Sequence, residues 1–206
     1  MSEAVTPHAG AVASGAAEPR SVVRQRWLVF SLCAATMFTE GYDAQFMGSV
    51  VPGIAAEWGV PAGTLWPTLS AGLFGLMLGA FFIAPLADNY GRRRVIIYSV
   101  AAFGVLTIAS VLATNITDMV IFRFLTGLGL GGAMANTAAL TAEFSPPHRR
   151  AFYVAIMFCS FSLGASFGGF ISAVMMDDYG WKSIFLVCGI MAVVLLPVLI
   201  RLLPES

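Results

Sequence analysis

Six runs of about twenty apolar residues, separated by short polar segments, divide this chain at 27–51, 64–87, 95–113, 119–141, 152–175 and 183–203. A run of that length crosses the hydrocarbon core of a bilayer as a helix. Lipid leaves the backbone little alternative, because every N–H and C=O must find its partner inside the protein. Composition agrees: of 206 residues, 58% are hydrophobic and only 11% charged, with a mean hydropathy of +0.84. An ordinary soluble domain carries about 25% charged residues. The expected fold is an all-α membrane protein of six transmembrane helices.

The polar punctuation repeats. Asp88, Asn89, Tyr90 and Gly91, followed by Arg92, Arg93, Arg94 and Val95, return as Asp177, Asp178, Tyr179 and Gly180, followed by Trp181, Lys182, Ser183 and Ile184. Ala56, Glu57 and Trp58 return as Ala142, Glu143 and Phe144 at nearly the same separation. Each mark joins the same pair of spans in its half, which predicts two three-helix repeats of inverted topology. Secondary transporters are often built from such repeats, so transport is the function class that this organisation favours.

Net charge is zero and offers no basis for nucleic-acid binding; the placement of charge says more. If the spans alternate, Arg20, Arg24, Arg26, Arg92, Arg93, Arg94, Arg149, Arg150 and Arg201 fall on one side, and only Lys182 falls in a loop on the other. The positive-inside rule places both termini in the cytoplasm. Residues 1–21, rich in Ala, Gly, Ser and Pro and lacking an apolar core, read as a disordered cytoplasmic tail ahead of a bundle spanning 22–206.

Three patterns resemble catalytic motifs and fail on context. Gly164-Ala165-Ser166-Phe167-Gly168 has nucleophile-elbow spacing but lies inside an apolar helix. The two histidines, His8 and His148, lie outside the spans, so Ser166 has no base. The glycines from Gly127 to Gly132 contain a GxGxxG spacing, but no strand precedes them. Their four-residue spacing, shared by Gly75/Gly79 and Gly164/Gly168, instead suits close helix packing. Cys33, Cys159 and Cys188 are expected to be packing residues. No enzyme activity, cofactor or metal site is expected.

Charges inside the spans carry the functional expectation. Glu40 and Asp43 lie in the first run, and Arg123 about one turn into the fourth. A charge at the centre of a membrane helix costs about 2.5–3.5 kcal/mol on insertion scales, so such groups mark ion or substrate pathways unless they merely neutralise one another. Spaced i and i+3, the two acids share a helix face, close enough for one ionisation to oppose the other. Two roles fit: a proton-coupling or substrate site, and a static pair in which Arg123 neutralises one acid. Gln45, Asn136, Thr137 and Thr141 could line the same cavity or bond between helices. Between the second and third spans, Asp88 ahead of the arginines and Gly91 at a turn suggest a short charged latch beyond a merely topogenic loop.

These residues resemble the major facilitator superfamily. Leu86-Ala87-Asp88 with Gly91, Arg92 and Arg93 is similar to that family's loop between helices two and three, and Arg123 with Gly127, Gly129, Gly131 and Gly132 to its fourth-helix motif. Within it, Glu40-Gly41-Tyr42-Asp43 resembles the Asp-Gly-x-Asp element of aromatic acid:proton symporters, with Glu40 in place of the first Asp. Ala84 and Asn89 also depart from the loop signature. The resemblance implies that Glu40, Asp43 and Arg123 serve substrate uptake and proton coupling, and that Asp88, Gly91, Arg92 and Arg93 belong to a cytoplasmic gate. It implies import of a small organic acid, an aromatic one above all, with a proton across the bacterial inner membrane. The family has two six-helix halves, and this chain matches the first. The expected protein therefore pairs with a second half or self-associates; the alternative is a six-helix fragment or assembly partner that does not itself transport.

The orientation is testable by labelling. A cysteine introduced at Asp178 should react with a membrane-impermeant maleimide in intact cells, and one at Arg93 only after lysis. The reverse pattern overturns the orientation.

Overall fold

The computed structural model describes residues 20–205, and they are almost entirely helical. Most of the expected tail, with His8, lies outside the described residues; its last positions, Arg20 and Ser21, already belong to α1, Arg20–Trp58. A second rod, Ala62–Tyr90, contains α2 (Trp66–Leu78) and α3 (Ala87–Tyr90). Then follow α4 (Arg92–Ala109), α5 (Ile116–Phe144) and α6 (Arg150–Leu202). Among the described residues, four helical stretches are long and apolar enough to cross a membrane: Ala62–Tyr90, Arg92–Leu112, Ile116–Phe144 and Pro147–Leu202; α1, which holds the first of the six expected runs, is long enough but is not among them. The last has 56 residues, which at 1.5 Å per residue would exceed twice a bilayer's hydrocarbon thickness of about 30 Å. It is not straight, since Gly180 at φ 71°, ψ 174° divides α6 into arms 150–179 and 181–202.

Gly180 and Gly91 are the glycines of the two repeated Tyr-Gly pairs. Gly91, at φ 88° and ψ 141°, ends α3 and opens α4. Both occupy backbone regions that side-chain-bearing residues rarely adopt, so each repeat turns where only glycine turns without strain. α5 starts earlier than its apolar run implied. Asn115 caps it, its Oδ1 accepting from the Asp118 backbone N–H at 2.9 Å, so Arg123 sits two turns inside the helix instead of one. The second rod is irregular between α2 and α3, with a π turn at Gly79–Ile83 and a 3-10 turn at Ala84–Leu86. Pro85 lacks the N–H that would continue the helical ladder, and Asn136 Nδ2 donates to the carbonyl of Ala84 at 3.3 Å.

Glycines bring helices to direct backbone contact. On α5, a Cβ at Gly127 would collide with the carbonyl oxygen of Gly72 and crowd the N–H of Leu76; on α1, a Cβ at Gly41 would do the same to Phe161 and Ala165. A Cβ at Gly75 would strike the carbonyl of Phe124, and one at Gly164 that of Phe38; Gly79 faces Leu128, and Gly168 faces Tyr42. These contacts map onto each other. Adding 86 to the numbers on α1 gives those on α5, and adding 89 to those of the second rod gives those on the first arm of α6. Those are the offsets of the two repeated sequence marks.

The ends of the bundle follow the same correspondence. At one end Glu57 accepts from Trp181 Nε1 and from Lys182 Nζ, both at 2.7 Å. At the other, Arg92 pairs with Glu143 at 2.8 Å and Arg93 Nη2 donates to the Ile200 carbonyl at 2.6 Å. Glu57 and Glu143 are 86 apart; Trp181 and Lys182 follow Arg92 and Arg93 by 89. Glu57 lies beyond the apolar run, and the hydrogen bonds from Lys182 and then Trp181 hold its carboxyl below the usual carboxylate range. Since Glu57 and Lys182 are both nearly half exposed, the pair orients the helix ends more than it stabilises them. Cys33 and Cys188 are buried as expected, but Cys159, on the first arm of α6, is exposed.

The backbone contacts set a sharp contrast. Gly127→Ala should lower stability by about 2–3 kcal/mol, since the added carbon meets a carbonyl that is itself part of a helix. Gly48→Ala, with nothing within 4 Å of an added Cβ, should change it by no more than about 0.5 kcal/mol. Thermal unfolding in detergent, followed by tryptophan fluorescence, separates the two.

Candidate functional site

Two of the three charges expected within the spans, Asp43 and Arg123, meet inside the bundle. Arg123 on α5 donates from Nη1 and Nη2 to the two carboxylate oxygens of Asp43 on α1, at 2.8 and 2.6 Å. Asp43 is 1% exposed and Arg123 4%. The guanidinium carbon lies 5.9 Å from the ring centre of Phe46, which lines one side of it. Gly72 leaves room on another, since a Cβ there would stand 3.5 Å from Arg123 Nη2. The planar, two-pronged geometry suits a charge pair taken out of water, because each carboxylate oxygen is matched by one N–H.

Glu40, one helical turn before Asp43, is also 4% exposed but stands apart from this pair. Its Oε1 is buried with no hydrogen-bond partner, and Arg123 Nε is likewise unmatched. Both residues line a cavity of about 260 Å³ bounded by α1, α2, α5 and the first arm of α6. Its remaining walls are apolar: Ala44, Met47, Leu69, Leu73, Leu76, Leu130, Met134 and Phe161. Larger hollows beside Phe74 and Met77 and beside Phe38 and Leu163 hold no ionisable side chain, and one beside Ile83 and Leu86 holds Arg94, Tyr90 and Tyr98 but no carboxyl. The smaller cavity is where chemistry is concentrated. In it the Asp43–Arg123 pair is internally neutralised, and Glu40 is the carboxyl left to accept a hydrogen bond or exchange a proton.

Of the other polar residues expected nearby, none lines this cavity. Asn136 donates to Gly132, Thr137 to Ala133 and Met134, and Thr141 to the Met157 sulfur, all within helix packing. Gln45 is exposed. Ser166 donates to the Ser162 carbonyl in an ordinary helical turn. Where α3 gives way to α4, Gly91 supplies the turn, Arg92 and Arg93 reach α5 and α6 from the first turn of α4, and the Glu205 carboxylate lies close against Gly91. Asp88 is exposed and, among the described residues, bonds to none of the arginines that follow it. Two partners escaped the sequence reading. Glu143 and Glu57 were visible as a repeated Ala-Glu pair, but nothing in the spacing says which cation each meets.

The Major Facilitator Superfamily model matches residues 30–206. The chain belongs to that superfamily of membrane transporters. Its curated relatives transport aromatic acids: it is 42% identical over 183 residues to a 4-hydroxybenzoate transporter of Pseudomonas putida, and 38% identical over 187 residues to a gallate transporter of the same organism. A 3-(3-hydroxy-phenyl)propionate transporter of Escherichia coli K12 is 37% identical over 191 residues. These matches take in 89%, 91% and 91% of this chain but only 41%, 42% and 46% of the relatives, so the chain spans less than half their length. Among solved structures, the inward-open xylose transporter XylE of E. coli superposes with a TM-score of 0.77 at 19% identity, over 88% of this chain and 48% of that one. A bacterial homologue of the human lysosomal transporter Spinster, inward-facing, gives 0.75 at 18% identity, over 88% and 44%. These two likenesses concern the fold.

The buried pair yields an energetic test. Asp43→Ala leaves a guanidinium uncompensated at 4% exposure and should destabilise the chain by about 3–5 kcal/mol. Adding Arg123→Leu should restore much of that loss. A double-mutant cycle on thermal unfolding measures the coupling, and additive effects would mean that the pair carries none.

Proposed function

We propose that this chain forms six membrane-spanning helices arranged as two inverted three-helix repeats, and that it supplies the Glu40, Asp43 and Arg123 site of a proton-coupled symporter for an aromatic or related organic acid. The observation that carries this reading is the cavity in which an unpartnered carboxyl lies beside a neutralised carboxylate–guanidinium pair. An intramembrane acid with no fixed partner is expensive unless a proton or ligand completes it. The 86- and 89-residue offsets relating the glycine contacts support the repeat. The bend at Gly180 supports two spans within α6, and α1, with 39 residues, is long enough for another.

The aromatic substrate rests on the relatives, named for 4-hydroxybenzoate, gallate and 3-(3-hydroxy-phenyl)propionate. The bundle end bearing Arg92, Arg93 and Arg201 faces the cytoplasm in this reading, with both termini, at the bacterial inner membrane. There Asp88, Gly91, Arg92 and Arg93 form the cytoplasmic gate, with Glu143 as the anchor of Arg92. Alternating access is the rocking of one bundle against another around a central site. Transport therefore needs a second six-helix bundle or self-association.

Proteoliposomes containing this chain with the second bundle of a curated relative should accumulate labelled 4-hydroxybenzoate under an outside-acid pH gradient, and the chain alone should not. Asp43→Asn, which keeps the size of the side chain and removes its charge, should cut accumulation at least about tenfold with insertion unimpaired. Undiminished pH-driven uptake by the variant would reduce Asp43 to a structural role. Saturable uptake by the chain alone would show that one bundle suffices.

A further inference from the structure

We infer that Glu40 reads a hydroxyl group on the substrate ring, so that this site selects hydroxylated aromatic acids over unsubstituted ones. The inference rests on the aromatic-acid reading above and adds the orientation of the ligand. An aromatic acid brings an anionic end, a flat apolar body and whatever the ring carries opposite the carboxylate. Asp43 neutralises Arg123 and engages both its terminal nitrogens, so the cavity offers an anion only the unmatched Nε donor and no free countercharge. Placing a carboxylate against Glu40 and Asp43 would bring a third acid beside one guanidinium, in a setting where water screens little.

The opposite orientation suits every wall. The ring lies among Leu73, Leu76, Met134 and Phe161, where its faces replace contacts with lipid or water. The carboxylate then points out of this bundle. What meets Glu40 is the distal ring position, and Glu40 Oε1 is a buried acceptor with no partner in the chain. A carboxyl oxygen accepts a hydrogen bond in either protonation state, so a ring O–H satisfies it whether or not Glu40 carries a proton. A ring C–H or methyl group in the same place leaves the acceptor buried and unmatched. Sites built around a buried polar group discriminate most strongly against ligands that fail to pair it.

The test is equilibrium binding to this chain combined with the second bundle of a curated relative in lipid nanodiscs, by calorimetry or ligand-observed nuclear magnetic resonance. Benzoate, 3- and 4-hydroxybenzoate, and the methyl isosteres 3- and 4-methylbenzoate are compared. The better hydroxybenzoate should bind at least about tenfold more tightly than its methyl isostere, and Glu40→Ala should bring the two within about twofold. Size-exclusion chromatography and thermal unfolding confirm that the variant is folded. If Glu40→Ala fails to fold, Glu40→Met, which fills the same space without an oxygen, takes its place in the comparison. Equal binding of hydroxyl and methyl ligands, or a hydroxyl preference that survives in folded Glu40→Ala, overturns the assignment to Glu40 while leaving the aromatic-acid reading intact. Binding of none of the five overturns both.

Discussion

Helices in lipid cannot be pressed together by water, since the tails around them are as apolar as the side chains they carry. Close packing has to come from backbone shape, and this bundle depends on that condition. At Gly41, Gly127, Gly75 and Gly164 the absence of a side chain lets one helix rest directly on the peptide groups of another. The contact fixes both distance and register: Phe38 opposite Gly164 leaves no freedom to slide α1 along α6. With α1 held against α6 and α5 against the second rod, Asp43 and Arg123 face each other across the interior at hydrogen-bonding distance. A change of one turn in either contact would separate them by about 5 Å.

The charges then do what the packing permits. A bidentate pair offsets much of the cost of its removal from water, because each carboxylate oxygen is matched by one N–H. A single carboxyl in the same apolar pocket is different. Glu40 is buried beside Leu, Met and Phe side chains with one oxygen unmatched, so its energy depends on what enters the cavity. That asymmetry between two acids one turn apart distinguishes a site from a structural pair.

Much of this was legible before any coordinates. Hydropathy marks the helices, and the repeated Tyr-Gly pairs mark the glycine turns because a positive φ is nearly a glycine property. Four-residue glycine spacing foretells the close contacts, although not which helix each glycine meets. Other features depend on tertiary distance alone. Nothing in the spacing of Glu40, Asp43 and Arg123 says which acid takes the arginine. Asn136 and Thr141, polar and well placed on paper, bond across to neighbouring helical elements, and Thr137 bonds back to its own helix. Arg123 sits a turn deeper than its apolar run suggests, because the polar cap at Asn115 and Asp118 starts α5 ahead of its hydrophobic stretch.

The paired staples at the two ends have a mechanical meaning. Glu57 ties the end of α1 to the second arm of α6, and Arg92 ties the start of α4 to the end of α5. Each joins elements of the same bundle, and between them the interior is zipped by peptide-to-peptide contact. A body fastened at both mouths and seated on its own backbone resists sliding between its helices, its irregular stretch being confined to Gly79–Leu86 of the second rod. It behaves as a lever arm: displacement applied at one rim is delivered at the other, and the cavity in between travels with it undeformed.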